Sequence, residues 1–293
     1  MTAVAALVAI CLAGWFVRSA TAGSDDTAAS GKPGVHAGGT PQTPAPPHST
    51  GHDDTGRHDS GQDEKPAATG PLAGKVVVID PGHNPTNYRY PREINRKVNI
   101  GTNSKECDTT GTSTNAGYAE ARFTLDVSHR LRALLEKEGA TVKLTQDNNR
   151  PYGPCVTERA AIGNEARADA AISVHADGSA AGNRGFHVIL PARVKSGAAD
   201  TTKIVAPSRD LGTRIAGTFL RDTGSAPSNY IGGGTGLDTR GDLGGLNLST
   251  VPKVFIECGN MRDPEDAAQL TSDNWRQKAA QGIADGITGF LHG

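Results

Sequence analysis

The sequence has no surplus of either charge: 30 Lys+Arg stand against 31 Asp+Glu in 293 residues. A chain so nearly neutral is not built to coat nucleic acid or an anionic membrane by bulk charge. The balance holds in both parts, since residues 1–70 carry 4 basic and 7 acidic side chains and residues 71–293 carry 26 and 24. Large apolar groups are scarce in the first 70 residues, too scarce to bury a core. One folded domain of roughly 220 residues is therefore expected after them. Internal repeats are absent, as is the signature of a second domain. There is no HExxH, so a zinc site would have to be assembled from distant segments, and no strand leads into a GxxxxGK[ST] phosphate loop.

What is present begins with an apolar run. Ala3 to Val17 reads AVAALVAICLAGWFV and is followed by Arg18 and the small residues Ser19-Ala20-Thr21-Ala22. About 15 apolar residues suit the core of an export signal better than a spanning helix, which needs about 20. Residues 1–22 are thus expected to be a signal peptide; because no Lys or Arg precedes the run, an uncleaved signal anchor stays open, and with it the one expected link to a membrane. Cys11 follows Ile10, where a lipoprotein signal wants a small residue, and is expected to leave with the signal. Residues 23–70 are Gly, Pro, Ser, Thr, Asp and His with almost nothing apolar, the composition of a disordered linker. His36, His48, His52 and His58 are too irregularly spaced to favour a metal tract over a solvated linker.

Composition changes sharply at Lys75. KVVVID is a β-branched run stopping at Asp-Pro-Gly, the pattern of a buried strand meeting a turn. TVKLT at 141–145, AAISVHAD at 170–177, GFHVIL at 185–190 and KVFIEC at 253–258 read as further strands. Between them, Ala119 to Glu138 places Phe123, Val127, Leu131, Leu134 and Leu135 on one helical stripe, and Gly139 ends it. Glu158–Ala168, Asp210–Arg221 and Trp275–Phe290 read as the other helices. Alternation of this kind predicts an α/β domain over 71–293: a central mixed, mostly parallel twisted sheet flanked by helices.

In an exported protein, Cys107 and Cys155 are most simply a disulfide, with a metal-ligand role for Cys107 left open. Cys258, inside an apolar strand, reads as a buried thiol. Parallel sheets gather function at the carboxyl ends of their strands. His83 follows VVVID, His175 lies in ISVHAD, and Glu257 lies in VFIEC; Glu120 opens the long helix after the Gly-rich stretch 101–117. Two imidazoles and one carboxylate are the ligand set of a catalytic zinc with a fourth position open to water. Each has a plainer reading, as a hydrogen-bonded loop histidine or a glutamate favouring a helix dipole. Glu257 between Ile256 and Cys258 resists it, because a carboxylate in an apolar run is costly to bury without a partner or a task. Asp177 is placed to orient an imidazole or cap a turn. His129, within the long helix, and His187, on the alternate and exposable face of GFHVIL, are set aside, as is the terminal His292.

The run VVVIDPGHN, a glutamate opening the helix in AEARFTLDVSHRLRALLEKEGATVKLTQ, then ISVHAD, then LNLSTVPKVFIECGNMRDPEDAAQL resembles the zinc-dependent N-acetylmuramoyl-L-alanine amidases of the type 3 family, over residues 75–293. The resemblance implies one zinc ion per chain held by His83, Glu120 and His175, with Glu257 as catalytic glutamate moving the water proton to the departing nitrogen. It implies peptidoglycan as substrate, cut between N-acetylmuramic acid and L-alanine, by an exported cell-wall hydrolase. Many members read Glu-X-Gly-Phe where this chain has Glu257-Cys258-Gly259-Asn260, a variant similar to an actinobacterial subgroup. Gly232–Asn247 precedes the catalytic strand and is a candidate source of substrate contacts through Arg240, Asp242 and Asn247; residues 84–115 are a candidate groove wall stapled through Cys107. A monomer with no nucleic-acid partner is expected. A zinc peptidase cutting within the stem peptide, and a catalytically silent wall-binding protein of the same fold, are the alternatives.

Overall fold

Period-two burial builds the centre of the molecule. In the computed structural model, which describes residues 69–293, β1 (Val76–Pro81) buries Val77 and Ile79 on one side and Val78 and Asp80 on the other. The expected signal, Cys11 and the linker with its four histidines lie outside the described residues, apart from the linker's last two positions. After β1 come a short helix α1 (Pro91–Ile94), a hairpin of β2 (Lys97–Asn99) and β3 (Ser104–Glu106), and the long helix α2 (Glu120–Lys137). Then follow β4 (Thr141–Leu144), α3 (Val156–Glu165), β5 (Ala170–Asp177) and β6 (His187–Pro191). A two-residue hairpin, β7 (Lys195–Ser196) with β8 (Ala199–Asp200), leads to α4 (Val205–Thr223). The chain closes with β9 (Leu237–Arg240), α5 (Gly244–Asn247), β10 (Lys253–Asn260), α6 (Pro264–Leu270) and α7 (Asp273–His292).

Six strands form one sheet in the order β4-β1-β5-β10-β6-β9. β4, β1, β5 and β10 run parallel, β6 is antiparallel to β10, and β9 is parallel to β6. The sheet is thus mixed and mostly parallel, as the alternation predicts. Four parallel carboxyl ends and the amino end of β6 meet along one edge, and that edge carries the site.

The two faces of the sheet differ in chemistry. One is covered by α2, α4 and α7, where Phe123, Val127, Leu131, Leu211, Ile215, Phe219, Ile283 and Ile287 close over Ile79, Ile172, Val188 and Val254. The other holds a smaller cluster of Val78, Ala168, Ala171 and Val251 with Ile162 and Ala166 against it, and beyond it a row of polar side chains. At about 25 cal/mol per Å2 of apolar surface removed from water, the first face supplies most of the stability.

Several boundaries depart from expectation for local reasons. α4 starts at Val205, five residues early, because Pro207 is tolerated in a first turn where its missing N–H has no partner to lose. α6 is an element beyond those expected: Asp263 caps it by accepting from the N–H groups of Glu265 and Asp266, with Pro264 at the first helical position. β9 and the two hairpins carry no apolar alternation that would mark them.

α7 packs against both α2 and α4, and its small residues set how closely. A Cβ added at Gly286 would lie 2.6 Å from Ile215 Cα, whereas at Gly289 it would meet nothing nearer than Arg214 Nη1 at 3.7 Å. Gly286→Ala should therefore cost about 1–3 kcal/mol by overpacking against backbone, while Gly289→Ala should be neutral or gain roughly 0.5–1 kcal/mol from helix propensity. Urea unfolding of the two variants checks the contrast; equal effects would contradict the packing described.

Candidate functional site

The edge site starts at a strained residue. His83 leaves β1 through Asp80-Pro81-Gly82 and adopts φ 61°, a left-handed conformation that a residue with a Cβ enters only when its surroundings hold it there. Its carbonyl oxygen is what is held: Arg159 Nη2 donates to it at 2.9 Å and Gln146 Nε2 at 3.2 Å. The imidazole then points across the sheet edge, with Nδ1 against the Thr109 carbonyl and Oγ1, both at 3.1 Å, and Nε2 3.1 Å from Glu120 Oε1.

Glu120 is the first residue of α2, and His175 is the sixth residue of β5. His175 Nδ1 lies 2.9 Å from the same Glu120 Oε1. The backbone N–H of Ala176 donates to Oε1 at 3.2 Å, and that of Thr112 donates to Oε2 at 2.9 Å. One ligand atom from each of His83, Glu120 and His175 falls within 4.8 Å of the others. Two glycines permit the closeness: a Cβ on Gly82 would lie 2.5 Å from His175 Nδ1, and one on Gly111, itself at φ +72°, would lie 2.7 Å from Glu120 Oε2. Phe255 stacks on the His175 ring at 5.3 Å and 11°.

Charge describes what this cluster accepts. Burial works against a charged imidazole at His83, but the carboxylates of Glu120 and Asp108 overcome it and push the ring up to about 10. Burial likewise opposes ionisation of Glu120, and the two imidazoles hold its carboxyl below the usual range. A proton is thus drawn to the place where three convergent N and O donors would take a cation, and two imidazoles with one carboxylate match the preference of zinc.

Glu257 stands one strand further along, opposite His175 in the β5–β10 register. Its Oε2 is buried with no hydrogen-bond partner. Burial first, then the carboxylates of Glu120 and Asp177, raise its pKa well above that of an ordinary glutamate. Such a carboxyl holds its proton more tightly than an exposed glutamate does, which suits a group that must carry one during a reaction.

Beneath the site lies a buried charge network that the sequence did not announce. The five N–H donors of the Arg159 guanidinium meet five acceptors: Pro154 O and His83 O at 2.9 Å, Asp80 Oδ1 and Pro81 O at 2.7 Å, and Asp108 Oδ2 at 2.9 Å. Asp80 also accepts from Thr145 Oγ1 at 2.6 Å, Ser173 Oγ at 2.7 Å and Lys253 Nζ at 3.2 Å. A cavity of about 270 Å3 reaches this network from the two histidines, walled by Lys105, Val156, Leu243, Gly244 and Phe255.

The remaining expected residues are placed as follows. Cys107 and Cys155 are joined by a disulfide, which ties the segment after β3 to the start of α3. Arg240 and Asp242 are paired at 2.7–2.9 Å, with Lys105 on Asp242 at 3.3 Å; Asp242 and Lys105 line the cavity, and Arg240 does not. Asn247 differs from expectation: it is 0% exposed, and its amide clips the chain by donating to Ile100 O, Thr102 Oγ1 and Gly241 O, so it offers no donor to substrate. Asp177 bonds to neither histidine of the cluster; it accepts from Tyr230 OH and, in the turn after β5, from the Gly178 N–H, both at 2.6 Å. His129 pairs with Asp147 at 2.5 Å, away from the cluster. His187 is not on an exposed face but 2% exposed, on the face that carries His175 and Glu257.

A mixed α/β sheet with these side chains at its carboxyl edge defines a hydrolase with a place for one metal ion. Comparison with known proteins gives the particular family. The model of the N-acetylmuramoyl-L-alanine amidase family Amidase_3 matches residues 77–289. N-acetylmuramoyl-L-alanine amidase Rv3717 of Mycobacterium tuberculosis is 42% identical over 221 residues, covering 75% of this chain and 88% of that protein. The crystal structure of the N-acetylmuramyl-L-alanine amidase Ami1 from Mycobacterium smegmatis aligns with a TM-score of 0.69 at 39% identity, covering 76% of this chain and 99% of that one. The apo form of Ami1 from Mycobacterium abscessus aligns with a TM-score of 0.68 at 38% identity, over 75% and 100% of the two chains. The chain belongs to the N-acetylmuramoyl-L-alanine amidase family.

Removing Arg159 would leave Asp80 and Asp108 buried and short of a counter-charge. Arg159→Met should cost about 3–5 kcal/mol of unfolding free energy, the penalty for breaking a buried pair from one side. Asp80 adds a pH dependence with a definite sign. Burial favours its neutral form, yet Lys253 and Arg159 hold its pKa far below the usual range, so its contribution is full above about pH 4 and is lost as pH falls. Urea titrations at pH 7 and pH 3 should show the Arg159→Met deficit shrinking in acid; a deficit that grows would contradict the network's role.

Proposed function

We propose that this protein hydrolyses peptidoglycan at the amide joining N-acetylmuramic acid to L-alanine of the stem peptide. The observation that carries the reading is the juxtaposition of the His83–Glu120–His175 cluster with a buried glutamate, Glu257, that none of the three needs and that has an oxygen without a partner. A wall-binding protein without activity has no use for a costly carboxyl kept there.

His83, Glu120 and His175 would hold one zinc ion. When bound, zinc supplies an acidified water and polarises the amide carbonyl. The protein's own part is to place and time the proton. Glu257 takes it from the attacking water and returns it to the nitrogen as the carbon–nitrogen bond breaks, so that the amine leaves neutral. Thr109 holds the Nδ1 edge of His83 and the Ala176 and Thr112 N–H groups hold Glu120, so none of these must reorganise as charge develops. The cavity beside Phe255 takes part of the substrate, and Asp242 in its wall, with Arg240 paired to it, meets the polar groups of the stem peptide. Asn247 acts on the substrate only through the loop it clips.

The setting is outside the cytoplasm, consistent with a disulfide between Cys107 and Cys155, with residues 1–22 as the export signal, 23–70 as a tether and 71–293 as the catalytic unit. The enzyme acts as a monomer, and among the described residues no helix is long and apolar enough to cross a membrane.

Digestion of isolated peptidoglycan followed by mass spectrometry tests this. Stem peptides beginning with L-alanine, beside glycan strands bearing an intact lactyl carboxylate, are expected; they should vanish with chelator and return with zinc. Cuts within the peptide would make it a peptidase instead. Glu257→Gln should lose at least about 100-fold in turnover while retaining zinc by elemental analysis, whereas His83→Ala should lose both. An active Glu257→Gln enzyme would overturn the assignment of the proton carrier.

A further inference from the structure

Five buried side-chain polar atoms among the described residues lack a hydrogen-bond partner: Ser128 Oγ, His187 Nδ1, Asn247 Oδ1, Glu257 Oε2 and Trp275 Nε1. Each such atom is costly to bury if nothing meets it, and each calls for an explanation. Two of the five are neighbours. His187 and Glu257 sit directly opposite one another in the antiparallel pairing of β6 with β10. Residues so paired project from the same face with Cβ atoms about 4.5–5.5 Å apart. An imidazole nitrogen and a carboxyl oxygen, each buried and without a hydrogen-bond partner, thus stand on one face of adjacent strands.

The ring is not free to turn away. His187 is 2% exposed and lies edge-on to Tyr230 with centroids 6.0 Å apart, while the Tyr230 hydroxyl is anchored on Asp177 at 2.6 Å. Burial holds the imidazole below its ordinary pKa, so it is neutral and carries a single N–H. The row His175, Glu257, His187 thus runs across three adjacent strands, with the metal cluster at one end and a clamped imidazole at the other.

We propose that His187 is a positioning residue for Glu257: its Nδ1–H donates through one enclosed water to Oε2 and fixes the carboxyl so that Oε1 faces the reacting water. This rests on the amidase reading and adds to it a residue that touches neither metal nor substrate. It also assigns the tautomer, since the proton must sit on Nδ1.

The test compares three variants of the zinc-loaded full chain on a soluble muramoyl tripeptide. The side-chain amide of His187→Asn places an N–H where Nδ1 was; that of His187→Gln reaches the place of Nε2 instead; His187→Ala has neither. His187→Ala and His187→Gln should lower kcat by about 10- to 100-fold, the usual loss for a group that orients a catalytic one, with KM little changed, and His187→Asn should retain most of the rate. In a Glu257→Gln background His187→Ala should cost nothing further. Equal losses for Asn and Gln, losses that follow melting temperature, or a raised KM at unchanged kcat would overturn the proposal. Nitrogen-15 correlation spectra of the histidine-labelled full chain, with the His187 signal identified by its absence in His187→Asn, read the tautomer whether or not turnover is detected. An Nδ1–H form is expected, and an Nε2–H form overturns the proposal even if the amidase reading stands. Absence of any cleavage by the wild type, with the Nδ1–H form present, would instead count against the amidase reading alone.

Discussion

The Arg159 guanidinium is the point on which the rest of the site depends. A charge on a side chain only 5% exposed is tolerable because every N–H it owns has an acceptor and two carboxylates surround it. Charge-assisted bonds of this kind are the strong ones, and a planar fork fixes direction as well as distance. Two of the five acceptors are the backbone carbonyls of Pro81 and His83. The same group that neutralises Asp80 and Asp108 therefore holds the turn after β1 in the conformation that aims His83 at Glu120. Asp80 in turn receives Lys253 from β10 and Ser173 from β5, so the parallel strands that carry His83, His175 and Glu257 are pinned to one another beneath the reaction centre.

This explains why one face of the sheet is oily and the other is not. Alternation along each strand sends Ile79, Ile172, Val254 and Ile256 to the helices of the first face, and Asp80, Ser173, His175, Lys253 and Glu257 to the second. The apolar face supplies the free energy that stabilises the fold, and the polar face spends part of it on groups that are costly to bury unless paired. Preorganisation is the return: the two imidazoles and Glu120 are held by backbone and by neighbours on other strands before any ligand arrives, and Gly82 and Gly111 leave room for their convergence.

Much of this was legible in the residues. β-Branched runs gave the strands, the stripe from Phe123 to Leu135 gave the long helix, and the acidic and imidazole groups at strand ends marked the edge where function collects. What stayed hidden depends on long-range pairing. Nothing in TERAAIGNEA says that Arg159 turns inward, because an arginine on an amphipathic helix ordinarily faces water. Lys253 was visible in principle, since Lys253, Phe255 and Glu257 share one face of a buried strand by period two. His187 was set aside because alternation cannot tell which face of a strand is covered, and Asn247 was drawn towards substrate because a Gly-rich segment looks open until its amide is seen clipping three separate groups. The capping signal at Asp263-Pro264 is readable in the residues themselves, an aspartate cap followed by proline at the first helical position.

In the proposed reading, His83, Glu120 and His175 form one preorganised metal site beside Glu257. Anomalous diffraction at the zinc absorption edge, from crystals of the protein grown with zinc, tests it most directly. A single strong peak within bonding distance of His83 Nε2, a Glu120 carboxylate oxygen and His175 Nδ1, with those side chains unmoved, is the result predicted. No peak there, or a peak at His129 and Asp147 instead, would contradict it.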